Sequence, residues 1–198
     1  MTVGLLNMDC MDYMRDLPDN AFDLAIVDPP YGIGISSNPV RQQHDKKQWD
    51  NAIPSTEYFT ELMRVSENQI IWGGNYFDLP PTQGFFIWDK KQPHDFSLAM
   101  AEYAWSSIQK PAKMWSLSVL KEKGKIHPTQ KPVELYQWLL LNNAKPDQRI
   151  LDTHLGSGSS AIAAHYFGCD FVGIELDEDY YEAACKRFKQ MTAQQAMF

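Results

Sequence analysis

The sequence is poor in cysteine, with three in 198 residues: Cys10, Cys169 and Cys185. An odd, scattered set without CxxC spacing excludes a disulfide framework and a thiolate zinc centre, and no metal is expected. The same scarcity fits a reducing cytoplasm. Long apolar runs are missing too. None approaches the roughly 18–20 residues that cross a bilayer, so no membrane partner is expected. The first ten residues lack a basic segment followed by an apolar one, and no signal peptide is predicted there. Positive charge is in short supply: 18 Lys and Arg face 25 Asp and Glu, a net of −7. Taken alone, that balance argues against a nucleic-acid binder working by bulk electrostatics.

What is present describes a globular chain, 44% hydrophobic and 22% charged. Its length suits one domain over 1–198 with a core of its own. The charge is unevenly placed. Between Gln109 and Lys131 six lysines (110, 113, 121, 123, 125 and 131) face one acid, Glu122, so this segment carries +5 and the rest −12. Two readings of it stand: a solvated lysine-rich loop, or a face turned to a polyanion.

Strand-like and helix-like patterns alternate. Thr2–Asn7 is short and apolar, and Cys10–Leu17 fits one or two helical turns. Phe22–Val27 is a compact apolar run stopped by Pro29 and Pro30, the pattern of a buried strand. Ser55–Asn68 has helical spacing with Ser55 as N-cap. Three further strands are predicted at Gln69–Trp72, Gly84–Trp88 and Glu102–Ser106, and a helix at Val133–Ala144. Then follow strand Arg149–Asp152, helix Ser159–Phe167, strand Asp170–Glu175 and helix Asp179–Met191. The alternation predicts an α/β sandwich, helices covering a largely parallel sheet. Two basic loops interrupt it, 32–53 (with Arg41, Lys46, Lys47 and Trp49) and 109–127. Loops of this length in a compact domain are usually functional or disordered.

Three constellations carry chemistry. In Asp152-Thr153-His154-Leu155-Gly156-Ser157-Gly158 a strand ends, two glycines turn and a helix begins. Glycine lets a ligand approach the backbone, and a helix N-terminus offers free N–H donors. About twenty residues on, Glu175 ends the next strand, where a carboxylate can accept from ribose hydroxyls. The spacing lacks the third glycine of the dinucleotide fingerprint and adds Asp152. That combination favours S-adenosylmethionine, whose zwitterionic tail needs an anion as well as donors. The plainer reading is a tight turn and a solvated Glu175. Second, Asp28-Pro29-Pro30-Tyr31 follows a buried strand. Two prolines remove N–H groups and leave carbonyl acceptors, which with a carboxylate and a ring suits a planar amino-bearing base. The plainer reading is a proline turn in which Tyr31 packs. Third, His127-Pro128-Thr129-Gln130-Lys131-Pro132 leads into a helix, with Pro132 suited to its start. It is either a rigid helix entry or a set of polar groups for a charged ligand tail.

In chain order, Asp28–Tyr31, His127–Pro132 and Asp152–Gly158 resemble the beta class of DNA amino-methyltransferases, most closely the adenine-N6 group, over residues 2 to about 190. The compact chain is similar to phage or prophage members. The resemblance implies a Rossmann-like, circularly permuted, seven-stranded and mostly parallel sheet with helices on both faces, the target-base half first. It implies that Asp152, Thr153, His154, Gly156, Ser157, Gly158 and Glu175 contact the cofactor. Asp9 would meet its adenine, and Thr129, Gln130 and Lys131 its methionine end. Asp28, Pro29, Pro30 and Tyr31 would form the catalytic set. One departure is His154, where the family usually has Phe. Another is the lack of room between Tyr31 and His127 for a separate target-recognition domain, which leaves DNA reading to the two basic loops.

The implied chemistry is methyl transfer from S-adenosylmethionine to the exocyclic N6 of adenine in double-stranded DNA. The target base would be flipped out of the duplex and stacked on Tyr31. Two alternatives stand beside it: a cytosine-N4 enzyme, whose members more often carry Ser in place of Asp28, and a degenerate binding module without turnover. A bacterial or phage-encoded, cytoplasmic enzyme is expected, with a homodimer possible. The −12 portion is expected to form the scaffold. The basic segment, with Lys46 and Lys47, is expected to line the edge that carries Asp28.

Overall fold

The computed structural model describes residues 1–34, 50–93, 99–118 and 124–193. Its elements in chain order are β1 (Val3–Asn7), α1 (Cys10–Arg15), β2 (Phe22–Val27), α2 (Thr56–Val65) and β3 (Ser66–Trp72). A one-turn 3₁₀ helix (Gly74–Tyr76) follows, then β4 (Phe85–Asp89), β5 (Ala101–Ser106), β6 (Lys113–Ser116) and α3 (Val133–Asn143). The chain continues through β7 (Arg149–Asp152), α4 (Ser159–Phe167), β8 (Asp170–Glu175) and α5 (Glu178–Ala193).

Among the described residues the strands form one sheet in the order β1-β8-β7-β2-β3-β5-β4-β6. Every neighbouring pair is parallel except β3–β5 and β5–β4. The sheet therefore has eight strands where the resemblance implies seven. The addition is β6, which falls in a segment expected to be loop. Its sequence, Lys-Met-Trp-Ser, is too short and polar to declare a strand, but it pairs along β4 and its Trp115 stacks on Trp138 of α3.

Burial explains the rest. β2 lies between β7 and β3, and five of its six residues are buried. The strand ends where Pro29 removes the next ladder donor. One face packs Leu24, Ile26, Ile70, Trp72 and Ile150 against Leu135, Leu139 and Ile162 of α3 and α4. The other packs Ala25, Val27, Ile71 and Leu151 against Met14 of α1 and Tyr58 and Leu62 of α2. Helices thus cover both faces, as expected. Ser55 caps α2, its Oγ accepting from the Tyr58 N–H at 3.3 Å. The helix stops three residues earlier than its spacing predicts. Ser66 turns its Oγ back to the Leu62 carbonyl (2.5 Å), and the chain enters β3 to pair with β2. Pro132 is the N-cap of α3 rather than its first helical residue.

The chain leaves β2 toward β3 on one side and leaves β7 toward β8 on the other. The crevice between the carboxyl ends of β2 and β7 is therefore the topological switch point, the usual ligand site of such sheets.

Candidate functional site

Parallel strands share a carboxyl edge, and four acids gather there: Asp9 after β1, Asp28 after β2, Asp152 ending β7 and Glu175 ending β8. Glu102 joins them from the beginning of β5. That strand runs antiparallel to β3, so its start lies where the others end.

Asp28 is held by charge. Tyr31 donates its hydroxyl to Asp28 Oδ1 at 2.6 Å, and the Lys131 ammonium contacts Oδ2. Lys131 is buried and also reaches Glu102 Oε2 at 3.2 Å, while Glu102 Oε1 takes the Lys90 ammonium. Burial works against the charge on Lys131, but Asp28 and Glu102 outweigh it and hold the ammonium above its ordinary range. Burial likewise works against a charged Glu102, and Lys131 with Lys90 brings its carboxyl down to about 2. The Tyr31 phenol is driven well above its usual range by burial and by Asp28, so it remains a donor. Its ring lies parallel to Tyr76, with centroids 5.0 Å apart, and fits against Gly73. A Cβ at Gly73 would sit 2.2 Å from that ring, and Gly73 itself has φ +70°, so only glycine serves there. Asp50, absent from the expected set, is buried and accepts from the Tyr31 and Gly32 N–H groups at 2.8 and 2.9 Å, fixing the backbone after the prolines.

The two acids of the glycine turn are held by neutral donors, while the Arg187 guanidinium donates to the Ser157 carbonyl at 2.9 Å. Asp152 is 1% exposed. Ser160 donates to its Oδ2 at 2.6 Å and the His154 N–H to its Oδ1 at 3.0 Å. Burial nevertheless pushes its carboxyl up to about 7. Glu175 accepts from the Gly156 N–H at 2.8 Å and the Asp177 N–H at 3.0 Å, and burial raises it as well. Gly158, at φ +73°, lets the turn pack on Ala184 of α5. The hydroxyl of Tyr58 lies 2.7 Å from Thr153 Oγ1, which lies 2.9 Å from His154 Nδ1. Tyr58 and Thr153 are both buried, and among the described residues both of their hydrogens find acceptors when Nδ1 accepts. This arrangement assigns the His154 proton to Nε2. Burial holds this imidazole down near 4, so the ring is neutral.

The segment 127–132 bridges the two halves. Ser159 Oγ donates to the Lys131 carbonyl at 2.7 Å and accepts from Arg187 of α5 at 2.8 Å. His127 packs edge-on against Tyr180, and Thr129 Oγ1 lies 3.1 Å from its Nδ1. Gln130 is largely spent on its own turn, its Oε1 accepting from the Ile126 N–H.

A cavity of about 580 Å³ opens between these groups, within the usual range for small-molecule sites. Asp9, Asp28, Pro30, Thr129, Gln130, Lys131, Thr153, His154, Gly156, Ser157 and Glu175 all line it. Asp9 also caps α1, accepting from the Met11 N–H at 2.7 Å. Four expected site residues stand outside the lining: Pro29, Tyr31, Asp152 and Gly158. Asp152 and Gly158 build the turn rather than face the cavity. Tyr31 stacks one ring face on Tyr76 and turns its hydroxyl to Asp28. Lys131, expected at the cofactor's tail, spends its charge on Asp28 and Glu102. Cys10 packs against the core and also lines the cavity, its thiol pushed up to about 12 by burial and Asp9.

The expectation for the basic segment is corrected for two of its lysines, Lys110 and Lys113. β6 runs parallel to β4, so Lys113 at its start, and Lys110 before it, lie toward the amino edge, away from Asp28. Lys113 contacts Asn142 at the far end of α3. Lys131 is internal. Arg41, Lys46, Lys47, Trp49, Lys121, Glu122 and Lys123 lie outside the described residues.

Asp50, Glu102, Lys90, Tyr58 and Arg187 are the functional neighbours that sequence reasoning misses. Glu102 leaves one trace, as the only charged residue in the strand Ala-Glu-Tyr-Ala-Trp-Ser.

This architecture is that of the Rossmann-like methyltransferases. Over 94% of this chain and 100% of the other, it superposes on the crystal structure of an M1.HpyAVI–SAM complex with a TM-score of 0.65 at 20% identity. PvuII DNA methyltransferase (cytosine-N4-specific) gives 0.66 at 12% identity, over 98% of this chain and 91% of that one. The DNA methylase family model matches residues 85–186, and the chain belongs to that family. Type II methyltransferase M.HinfI of Haemophilus influenzae is 25% identical over 94% of this chain and 68% of its own. Type II methyltransferase M2.MboI of Moraxella bovis is 24% identical, over 93% and 86%.

Proposed function

We propose that the protein is an S-adenosylmethionine-dependent DNA methyltransferase acting on the N6 amino group of adenine. The observation that carries this reading is Asp28, set at the switch-point crevice and bordering the cavity beside the glycine turn. The cavity suits the cofactor's charge. Its lining includes the acids Asp9, Asp28, Asp177 and Glu175, while the one ammonium among the described lining residues, Lys131, is paired twice. The neutral His154 adds no cation. Glu175 would take the ribose hydroxyls with its remaining lone pairs, Asp9 would meet the adenine, and Thr129, Ser157 and the Gly156 backbone would face the methionine end. When bound, S-adenosylmethionine supplies a methyl group made electrophilic by its sulfonium.

The target amine is a poor nucleophile because its lone pair is delocalised into the ring. Asp28 and the Pro29 carbonyl accept its hydrogens, favour a pyramidal nitrogen and aim the lone pair at the methyl. Orientation then supplies most of the acceleration, and the carboxylate stabilises the positive charge that develops on nitrogen. The Tyr31 hydroxyl occupies one side of Asp28 Oδ1, so Tyr31 shifts or shares that oxygen as the base arrives. Flipping of the base, reading of DNA by loops of a single domain, and a homodimer belong to this proposal.

Incubation of plasmid DNA with the protein and S-adenosylmethionine, followed by nucleoside analysis, is the test. N6-methyladenine is expected. N4-methylcytosine would move the assignment to the other amino group, and no methylated nucleoside would reject both.

A further inference from the structure

We propose that Glu102 is a positioning residue for methyl transfer, acting on Asp28 through Lys131; this rests on the reading of Asp28 given above. The Lys131 ammonium lies between Asp28 Oδ2 and Glu102 Oε2 and is 3% exposed. It has no other carboxylate contact among the described residues. Its remaining neighbours are the Tyr31 hydroxyl at 3.4 Å and the Trp72 ring, whose centroid is 5.3 Å away. On its far side Glu102 meets Lys90, whose side chain is 11% exposed. Four charges thus alternate along the buried edge: Asp28, Lys131, Glu102, Lys90.

The alternation matters because of what happens beside Asp28. The amine nitrogen forms a bond to the methyl carbon as the carbon–sulfur bond breaks and its electron pair leaves on sulfur. Positive charge grows on nitrogen until it releases a proton to water. A carboxylate contacted by an ammonium of its own is half of a neutral pair and attracts that charge weakly. Glu102 changes the sum: Asp28, Lys131 and Glu102 together carry −1 beside the amine, with the compensating Lys90 one residue further off. Glu102 also holds the ammonium from its other side, fixing the oxygen of Asp28 that Lys131 occupies and leaving Oδ1 to Tyr31 and the substrate.

The experiment compares Glu102→Gln, Glu102→Asp and Lys90→Met with the wild type. Glu102→Gln is expected to lower kcat roughly 10- to 100-fold, the size seen when an outer partner of a working side chain is lost, with cofactor affinity unchanged. Glu102→Asp is expected to recover most of the rate. A merely structural Glu102 would lower affinity and thermal stability together and leave kcat in place, which would overturn the proposal. The second readout needs no turnover. NMR of the Lys131 ε-carbon follows its ammonium, which Asp28, Glu102, Tyr31 and, at one remove, Lys90 all face. Its titration is expected to move to lower pH in Glu102→Gln and to higher pH in Lys90→Met. Lys90→Met serves alone should Glu102→Gln not fold. An unmoved titration overturns the sharing of Lys131. A wild type that binds cofactor but transfers no methyl group defeats the functional reading instead, and the titration still decides whether Glu102 acts on Lys131.

Discussion

Asp28 and Asp152 stand at the ends of neighbouring strands, both drawn largely out of water, and they are held in opposite ways. Asp28 is met by an ammonium and a phenol. Asp152 is met by a serine hydroxyl and a backbone amide, and burial lifts it to about 7. The difference separates two uses of one residue type. A carboxylate with charged partners, bordering the cavity, is equipped to act on a cationic centre. A carboxylate with neutral donors, turned away from the cavity, is equipped to hold a turn. Position on the sheet edge does not distinguish them; their partners do.

The sharpest way to break this comparison is to remove each acid. Asp28→Ala is expected to abolish methyl transfer, with a loss of at least roughly 100- to 1,000-fold, since a preorganised group facing developing charge is lost. Cofactor binding by calorimetry should persist. Retained turnover would place Asp28 with the scaffold. A smaller effect is expected from Glu175→Ala, which strands the Gly156 and Asp177 N–H groups. A hydrogen bond to a charged group is worth about 1.5–3 kcal/mol, so losing the one proposed to the ribose should lower cofactor affinity about 10- to 100-fold with kcat at saturation nearly intact. A fall in kcat alone would move Glu175 to the catalytic side.

Both halves of the site are partly legible in the sequence. Asp28-Pro29-Pro30-Tyr31 and the glycine turn are contiguous, and strand-then-turn patterns expose them. Helix α4 and strands β7 and β8 match their expected bounds, because apolar runs bracketed by glycine, proline or charge leave little freedom. What pairs with what is less visible. Glu102 and Lys131 are 29 positions apart in the chain and meet only because β5 is reversed. Asp50 closes a loop whose path no local pattern specifies. Lys131 reads as a ligand contact by its place beside Thr129 and Gln130 in the resembling motif; it borders the cavity, but its ammonium runs to Asp28. Lys110 and Lys113 depart from the edge expected of them for a related reason. Charge per segment says nothing of which sheet edge a strand begins on, and β6 begins at the amino edge.

Asp152 permits a test by pH. Its carboxyl lies near 7 in the folded protein against an ordinary value of 3.8. Between about pH 4 and 7 the folded state keeps a proton that the unfolded chain has released, so this group makes stability fall as pH rises through that window. The loss is on the order of a few kcal/mol at about 1.4 per unit, and it levels off above 7. Asp152→Asn should flatten that slope in urea unfolding measured across the window, with a cost common to every pH from the altered hydrogen bond to Ser160. An unchanged slope would show that Asp152 is charged throughout, and the contrast with Asp28 would then rest on geometry alone.

The finest distinction concerns His154, on the neutral side of the comparison. Its proton is assigned to Nε2 because two buried hydroxyls, Tyr58 and Thr153, need acceptors. Tyr58→Phe removes one of those hydrogens, frees Thr153 Oγ1 to accept, and allows the ring proton to move to Nδ1. The loss of one neutral hydrogen bond is worth about 1 kcal/mol, so stability should drop slightly and cofactor affinity by less than about tenfold. The informative signal is imidazole ¹⁵N NMR. The wild type should show a single Nε2–H tautomer that stays neutral until the pH approaches 4, and the variant a mixture. A wild-type ring already mixed, or one that gains a proton near its ordinary range, would mean that the glycine-turn half carries a mobile charge beside the cofactor site. The contrast between an acid met by charged partners and turn acids met by neutral donors would then lose its neutral side.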